Sequence, residues 1–401
     1  MVKSDDWLPK GDIILENAAL EAVKNVNNCL VIAGPGAGKT ELLAQKLDYL
    51  FSTNECISPK KILALSFKTD AAANMKNRVK KRYGDEYASR FTSLTYSAFE
   101  KMILDQYINA LPEEIRPDRD YLVDDWDVIK ATLIKNGINV NGRRMSDIRK
   151  SVEKTVLNDE ANLKFKKDLL KGTRNNKAVL LYKQITKLAT YIIYTNKYIR
   201  KALQMTYEFV FLDEFQDTTY DQYNLLKTCF LGSTCKLTAV GDNKQAIMRW
   251  AGANPDIFQD YKLDFKANEY QLLMNHRSVP KLIEFQKEVH QILNSNHSSI
   301  QSNYYPEFQE GENSIPIMTI HKSKGLEYEV VYFLGLEDSA FWSFNDQPEE
   351  DKSAFFVALS RAKSHLIFTY CKLRNNSPQN NRNINEIYSL LTQSNLVDVI
   401  N

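Results

Sequence analysis

Cysteine is scarce in this 401-residue sequence: five residues, at 29, 56, 229, 235 and 371, with no Cys-x-x-Cys pair. An odd and dispersed set argues against a disulfide framework, a zinc ribbon or an iron–sulfur cluster. Long hydrophobic runs are missing as well. No apolar stretch approaches the roughly 18 residues of a membrane helix, and the opening MVKSDDWLPKGD is too polar for a secretory h-region. A reduced, cytoplasmic location with no membrane partner is therefore expected. With 14 Gly and 11 Pro the chain is not fibrous, and neither an internal repeat nor a long low-complexity tract occurs. Net charge is almost absent at +2 and identifies no partner.

What is present is ordinary globular composition, 43% hydrophobic, 11% aromatic and 25% charged. At about 100 to 200 residues per domain this allows two to four compact units, each able to bury a core. The even charge hides a local excess. Residues 161–205 hold eleven Lys or Arg against the single acid Asp168, a net +10 that leaves −8 for the rest. Such a block fits a polyanion partner and fits equally well one solvated helix face.

Short apolar runs, each followed by a polar or glycine-rich turn and a helical pattern, recur at 29–34, 62–67, 208–214, 237–242, 315–320, 330–335 and 366–370. Runs that are apolar on both faces predict parallel strands covered by helices, an α/β fold. Residues 100–205 interrupt the rhythm with Lys-rich segments of helical spacing, such as 126–137 and 177–203, which predicts a helical insertion in the first α/β unit. A second unit is expected to begin near residue 268, after a turn-rich stretch at 252–266. The tail 373–384 reads as a loop before a last short helix.

AGPGAGKT at 33–40 lies between a strand-like run and the helical pattern TELLAQKLDYLF. Phosphate binding needs converging backbone amides, glycines that admit the anion, a cation for the terminal phosphates and a hydroxyl for Mg2+. The segment Ala33, Gly34, Pro35, Gly36, Ala37, Gly38, Lys39 and Thr40 supplies these, although the strict pattern asks for Gly where Ala33 stands. FVFLDEFQD at 209–217 ends an apolar strand in two acids. Asp213 is the candidate Mg2+ ligand with Thr40, and Glu214 the candidate base for the attacking water. Gln216 is a candidate contact to the γ-phosphate or that water.

Joined in chain order to five further motifs, these segments resemble superfamily 1 DNA helicases of the UvrD, Rep and PcrA type, from about residue 14 to 370. LSFKTDAAANMKNRV at 65–79, VGDNKQAIMRWAGA at 240–253, MNHRS at 274–278, TIHKSKGLEYEVV at 319–331 and VALSRA at 357–362 carry the resemblance. It implies two RecA-like domains and ATP hydrolysis with Mg2+. It also implies that Phe67 and Trp250 stack on single-stranded DNA, that Gln245 senses the γ-phosphate, and that Arg277 and Arg361 are arginine fingers from the second domain. His321 and Lys324 would lie near DNA or the interdomain cleft, and Glu327 near the ribose.

The sequence also departs from that pattern. Ala19 stands where the family has an adenine-reading Gln, and His276 where it has the Tyr that sandwiches the base; use of GTP or other triphosphates beside ATP is therefore expected. Met248 and Ala251 replace a Tyr and an Arg, and Tyr96 stands loosely in place of a His. Forty residues, 279–318, separate Ser278 from Thr319, too few for the family's accessory domain in the second half. The basic insertion would serve as the first-half counterpart. There Lys164, Lys166, Lys167, Lys171, Arg174 and Lys177 would contact phosphates, while Tyr191, Tyr194 and Tyr198 are expected to face the helical core rather than stack on bases.

The expected architecture is α/β, with two RecA-like parallel-sheet domains, one helical insertion in the first and no large insertion in the second. Its bounds are 1–100 with 206–266, 101–205, and 267–401. The expected function is a DNA-dependent nucleoside triphosphatase that translocates on single-stranded DNA, 3′ to 5′ by resemblance. The alternative is an NTP- and DNA-end-sensing subunit acting with a partner nuclease, as in minimal helicases that resemble the helicase-like subunit of Gabija-type phage defence.

Overall fold

The computed structural model describes residues 2–399 apart from 12, 141, 143, 158–161, 249–251, 294–300, 303–314, 342–343, 345–347, 375 and 394–396. After α1 (Asn17–Lys24) the chain alternates strand and helix through β1 (Cys29–Ala33), α2 (Lys39–Ser52), β2 (Lys61–Ser66), α3 (Thr69–Ser89), β3 (Phe91–Thr95) and α4 (Tyr96–Tyr107). A helical excursion follows: β4 (Leu122–Val123), α5 (Trp126–Lys135), α6 (Met145–Thr155), α7 (Leu163–Lys171) and β5 (Val179–Leu180), with β4 and β5 paired in parallel. The chain returns through α8 (Tyr182–Thr195) and α9 (Lys197–Thr206) to β6 (Tyr207–Leu212), α10 (Tyr220–Phe230), β7 (Lys236–Gly241), α11 (Ile257–Phe265) and β8 (Asn268–Leu272).

These strands form one six-stranded sheet in the order β3-β2-β6-β7-β1-β8, parallel throughout. Alternate residues of each central strand enter different cores. Leu30, Leu63 and Val210 pack under α4, α8 and α10, whereas Val31, Ile62 and Phe211 pack under α1 and α2. Burial on both faces is why the central strands read as continuous apolar runs. Their carboxyl ends gather the sites at residues 34–40, 213–217 and 242–245.

The second unit comprises β9 (Met274–Asn275), α12 (Pro280–Leu293), β10 (Gln301–Ser302), α13 (Ile320–Ser323), β11 (Tyr328–Phe333), α14 (Pro348–Leu359), β12 (Ala362–Phe368), β13 (Leu373–Arg374), β14 (Ser377–Pro378) and α15 (Asn385–Gln393). Two parallel pairs, β9 with β10 and β11 with β12, are its parallel sheet among the described residues. Phenylalanines 285, 333, 341, 344, 355 and 356 dominate its core.

Several expectations change. β8 lies beyond the expected border at 266 yet pairs with β1 along its whole length, so the first sheet extends to Leu272. The stretch 252–266 contains α11, and the tail contains the β13–β14 hairpin before α15. Residues 315–319 form no strand, and Ile315 and Ile317 are almost fully exposed. The helical segment expected as the insertion, 101–205, divides between two cores. Helices α4 and α8 belong to the first unit's main core, whereas α5 to α7, with Leu122 of β4 and Val179 of β5, build a satellite core around Ile129, Val152, Phe165 and Leu169.

Candidate nucleotide-binding site

The loop between β1 and α2 has the backbone that phosphate binding demands. Gly36 and Gly38 adopt positive φ, 69° and 75°, which non-glycine residues rarely tolerate. Gly38 caps α2, so the helix opens directly at Lys39 and Thr40 with its first amides unpaired and its dipole turned to the loop. Lys39 Nζ lies 3.3 Å from the carbonyls of Ala33 and Gly34 and so folds back over the loop. His276 N donates to Gly36 O at 2.9 Å, which brings the second unit onto the same loop.

At the end of β6, Asp213 is buried and Glu214 takes a left-handed conformation, φ 49°. A non-glycine residue there holds local strain, repaid by its contacts. Glu214 N donates to Asp213 Oδ1 at 3.0 Å, and Gln216 Nε2 donates to Glu214 Oε2 at 2.6 Å. Gln216 Oε1 accepts from Asp242 N at 3.0 Å, so this side chain ties the ends of β6 and β7 together and touches the candidate base. Burial and then the adjacent carboxylate raise the Asp213 pKa. Burial also pushes Glu214 up, but Lys39, Lys324, Gln216 and Arg361 outweigh it and hold that carboxylate ionised, as a proton acceptor must be.

The second unit contributes three cations. Arg361, 2% exposed, donates through Nη2 to Gln245 Oε1 at 2.9 Å and is braced by Val357 O, Leu326 O and Ser360 Oγ. Gln245 Nε2 in turn donates to Asp242 Oδ2 at 2.9 Å. Arg277 is held by Glu327 at 2.5 Å and by Ser360 O at 3.0 Å. Glu327 also pairs with Lys363 at 3.2 Å, so here it serves as an anchor for Arg277. Lys324 Nζ reaches Asp217 at 2.8 Å and Gln245 O at 2.5 Å. Ile247 adds an apolar contact to Ala354 and Val357 of α14.

Two further side chains, Asp217 and Lys68, take part in the contact between the units. Asp217 had a signal, being the last acid of the same DEFQD segment. Lys68, adjacent to Phe67, donates to the carbonyls of Lys324 and His321, and nothing in the sequence pointed to that. Of the expected DNA contacts, Phe67 is half-buried just after β2 and His321 is exposed on α13. Trp250 lies outside the described residues. Lys164 and Lys167 are exposed, but Lys166 is 5% exposed on the inner face of α7 and is unavailable to a strand on the surface. The +10 block is also partly neutralised by neighbours, through Lys171 with Glu113, Lys177 with Asp120 and Lys183 with Glu153. Tyr191 packs on the core as expected, whereas Tyr194 and Tyr198 are 73% and 76% exposed.

Among the described residues no cluster of three or more His, Cys, Asp and Glu could hold a metal, and no helix is long and apolar enough to cross a membrane. All five thiols are free.

The profile of the UvrD/REP helicase N-terminal domain matches residues 15–266, and that of the UvrD-like helicase C-terminal domain matches residues 315–369. A probable DNA helicase of Mycoplasma pneumoniae is 25% identical, the match covering 88% of this chain and 82% of that protein. A probable DNA helicase II homolog of the same organism is also 25% identical, over 88% of this chain but 56% of that protein. The ATP-dependent DNA helicase PcrA of Staphylococcus aureus is 27% identical over 67% of this chain and 39% of its own length. The chain thus spans about half or less of the longer relatives. With the first profile alone covering more than half of the sequence, this chain belongs to the UvrD/Rep helicase family.

Proposed function

We propose that the chain is a Mg2+-dependent nucleoside triphosphatase stimulated by, and moving along, single-stranded DNA. The observation that carries this reading is the Arg361–Gln245 hydrogen bond, which joins the second unit to the carboxyl end of β7 beside Glu214. A γ-phosphate between Glu214 and Arg361 would make closure of the two units depend on nucleotide state.

The donor set suits Mg2+. Thr40 and Asp213 offer hard oxygen atoms, and Mg2+ commonly takes one or two carboxylates with phosphate and water completing its shell. When bound, the ion neutralises charge on the β- and γ-phosphate oxygens. Lys39, released from its loop carbonyls, donates to the terminal phosphates. Glu214 accepts the proton of the attacking water while Gln216 holds its carboxylate. Arg277 and Arg361 stabilise the charge that develops on the transferred group. Neither Ala19 nor His276 reproduces the family's base contacts, so GTP and other triphosphates serve beside ATP. Translocation runs 3′ to 5′ by resemblance, over a surface that includes Phe67 and His321.

The test measures phosphate release with and without single-stranded DNA, strand separation on a 3′-tailed duplex, and a nucleotide panel, with Glu214→Gln as control. Hydrolysis stimulated by DNA and lost by about 10²-fold or more in Glu214→Gln is the expected result. Full activity in Glu214→Gln would reassign the base, and strong selectivity for ATP would remove the relaxed-specificity reading. Hydrolysis without strand separation would favour the sensing role with a partner nuclease.

A further inference from the structure

Residues 169–207 contain no acid, and the end of this run, where α8 meets α9, carries an exposed aromatic and basic face. Tyr194 and Tyr198 stand out from the surface, and Met205 is also exposed. Lys197 Nζ lies 5.3 Å from the centroid of the Tyr198 ring. Along α9, Tyr198, Lys201 and Met205 follow at spacings of three and four and share one side, while Ile199 and Leu203 turn into the core. Lys197 and Lys201 are exposed, and neither has an ion-pair partner among the described residues. They differ in this from Lys171, Lys177 and Lys183, whose charges are met by Glu113, Asp120 and Glu153.

The face lies away from the nucleotide site. Gln204 Nε2 donates to Cys229 O at the end of α10, and Cys235 Sγ donates to Gln204 O just before β7. Helix α9 therefore sits at the amino ends of β6 and β7. Glu214 is at the other end of β6, which at about 3.3 Å per residue is roughly 20 Å away.

We propose that this face is a second contact for single-stranded DNA, with bases stacked on Tyr194 and Tyr198 and phosphates paired with Lys197 and Lys201. Unpaired cations beside exposed rings match the two parts of an unpaired strand, its phosphates and its open base faces. A duplex keeps its bases stacked on each other and could use the lysines alone, which leaves the rings unexplained. An anionic bilayer likewise calls for apolar insertion that two tyrosines at a helix junction supply poorly. The proposal rests on the DNA-stimulated triphosphatase reading, and it makes a long strand engage the first unit at both ends of its sheet.

The experiment uses the full chain and fluorescence anisotropy with two oligothymidylates, one of about 8 nucleotides, enough for the cleft, and one of about 24, able to reach both sites. Tyr194→Ala with Tyr198→Ala is expected to weaken the long oligomer about tenfold or more while the short one changes less than about twofold. Lys197→Glu with Lys201→Glu should lower the salt slope for the long oligomer by about one to two. Melting temperatures of the variants report their folding. Equal affinity of wild type and variants for the long oligomer overturns the proposal. So does parallel weakening of both oligomers, or a loss confined to binding of phosphatidylserine vesicles. Failure of the wild type to bind the short oligomer or to be stimulated by it would instead sink the underlying reading.

Discussion

Lys324 and Asp217 form an ion pair between the two α/β units, Nζ lying 2.9 and 2.8 Å from the two carboxylate oxygens, with the side chains 4% and 3% exposed. Both charges are out of water, so each is tolerable because of the other. Removing one partner strands a buried charge, which costs about 3 to 5 kcal/mol. Lys324→Met is expected to loosen the second unit from the first and to resolve two transitions in calorimetry. Adding Asp217→Asn should restore part of the loss. One transition at the wild-type temperature in Lys324→Met would show that the pair does not hold the units together.

Gly36 and Gly34 give a contrast within one loop. A Cβ on Gly36 would stand 2.2 Å from Asn275 Oδ1 and 2.7 Å from Arg277 Cβ, on a backbone of φ +69°, whereas a Cβ on Gly34 meets nothing within 4 Å. Gly36→Ala is expected to destabilise the ligand-free chain by about 1 to 3 kcal/mol, and Gly34→Ala by less than about 0.5. Urea unfolding of the two variants measures the difference. Equal stabilities would contradict the close approach of residues 275–277 to the loop.

Glu100 is buried on α4 and accepts from Thr186 Oγ1 at 2.8 Å. Burial pushes its carboxyl up to about 7, against the Thr186 and Gln222 hydrogen bonds. Between its ordinary value of 4.5 and about 7 the folded state holds a proton that the unfolded state has lost. Stability contributed by this group is therefore full below 4.5 and is lost as pH rises through about 7. Glu100→Gln should remove that fall and stabilise the chain above pH 7 by roughly 3 kcal/mol. Chemical denaturation of both proteins at pH 5 and pH 8 checks it, and identical pH dependence would refute it.

Arg361 and Gln245 should act as one unit in hydrolysis. Arg361→Ala is expected to lower kcat by about 10³-fold. A double-mutant cycle with Gln245→Ala should show coupling of about 0.5 to 3 kcal/mol. Additive effects on DNA-stimulated phosphate release would mean that the hydrogen bond has no part in the reaction.

The central strands were legible because each is enclosed on both faces. β1, β2, β6 and β7 are almost wholly buried, so their sequences are mostly apolar, broken inside only by Glu208 and Thr238. Within this sheet the two strands that carry no apolar run, β3 and β8, are its edges. FTSLT and NEYQL are half-buried or exposed at most positions and carry the polar residues that an edge permits. The apolar run at 315–320 is the converse case, forming no strand and leaving Ile315 and Ile317 exposed.

Sequence alone determined the α/β class, the glycine-rich loop after β1 and the acidic end of β6, because each is written in contiguous residues whose local chemistry suffices. The order of the short motifs likewise carried the family. Tertiary structure alone decided the placement of β8 in the first sheet, the burial of Lys166, the exposure of Tyr194 and Tyr198, and the pairing of Lys324 with Asp217. Those outcomes depend on which surfaces meet across a hundred residues of chain. Desolvation and charge pairing are set by that three-dimensional neighbourhood, and no local pattern encodes it.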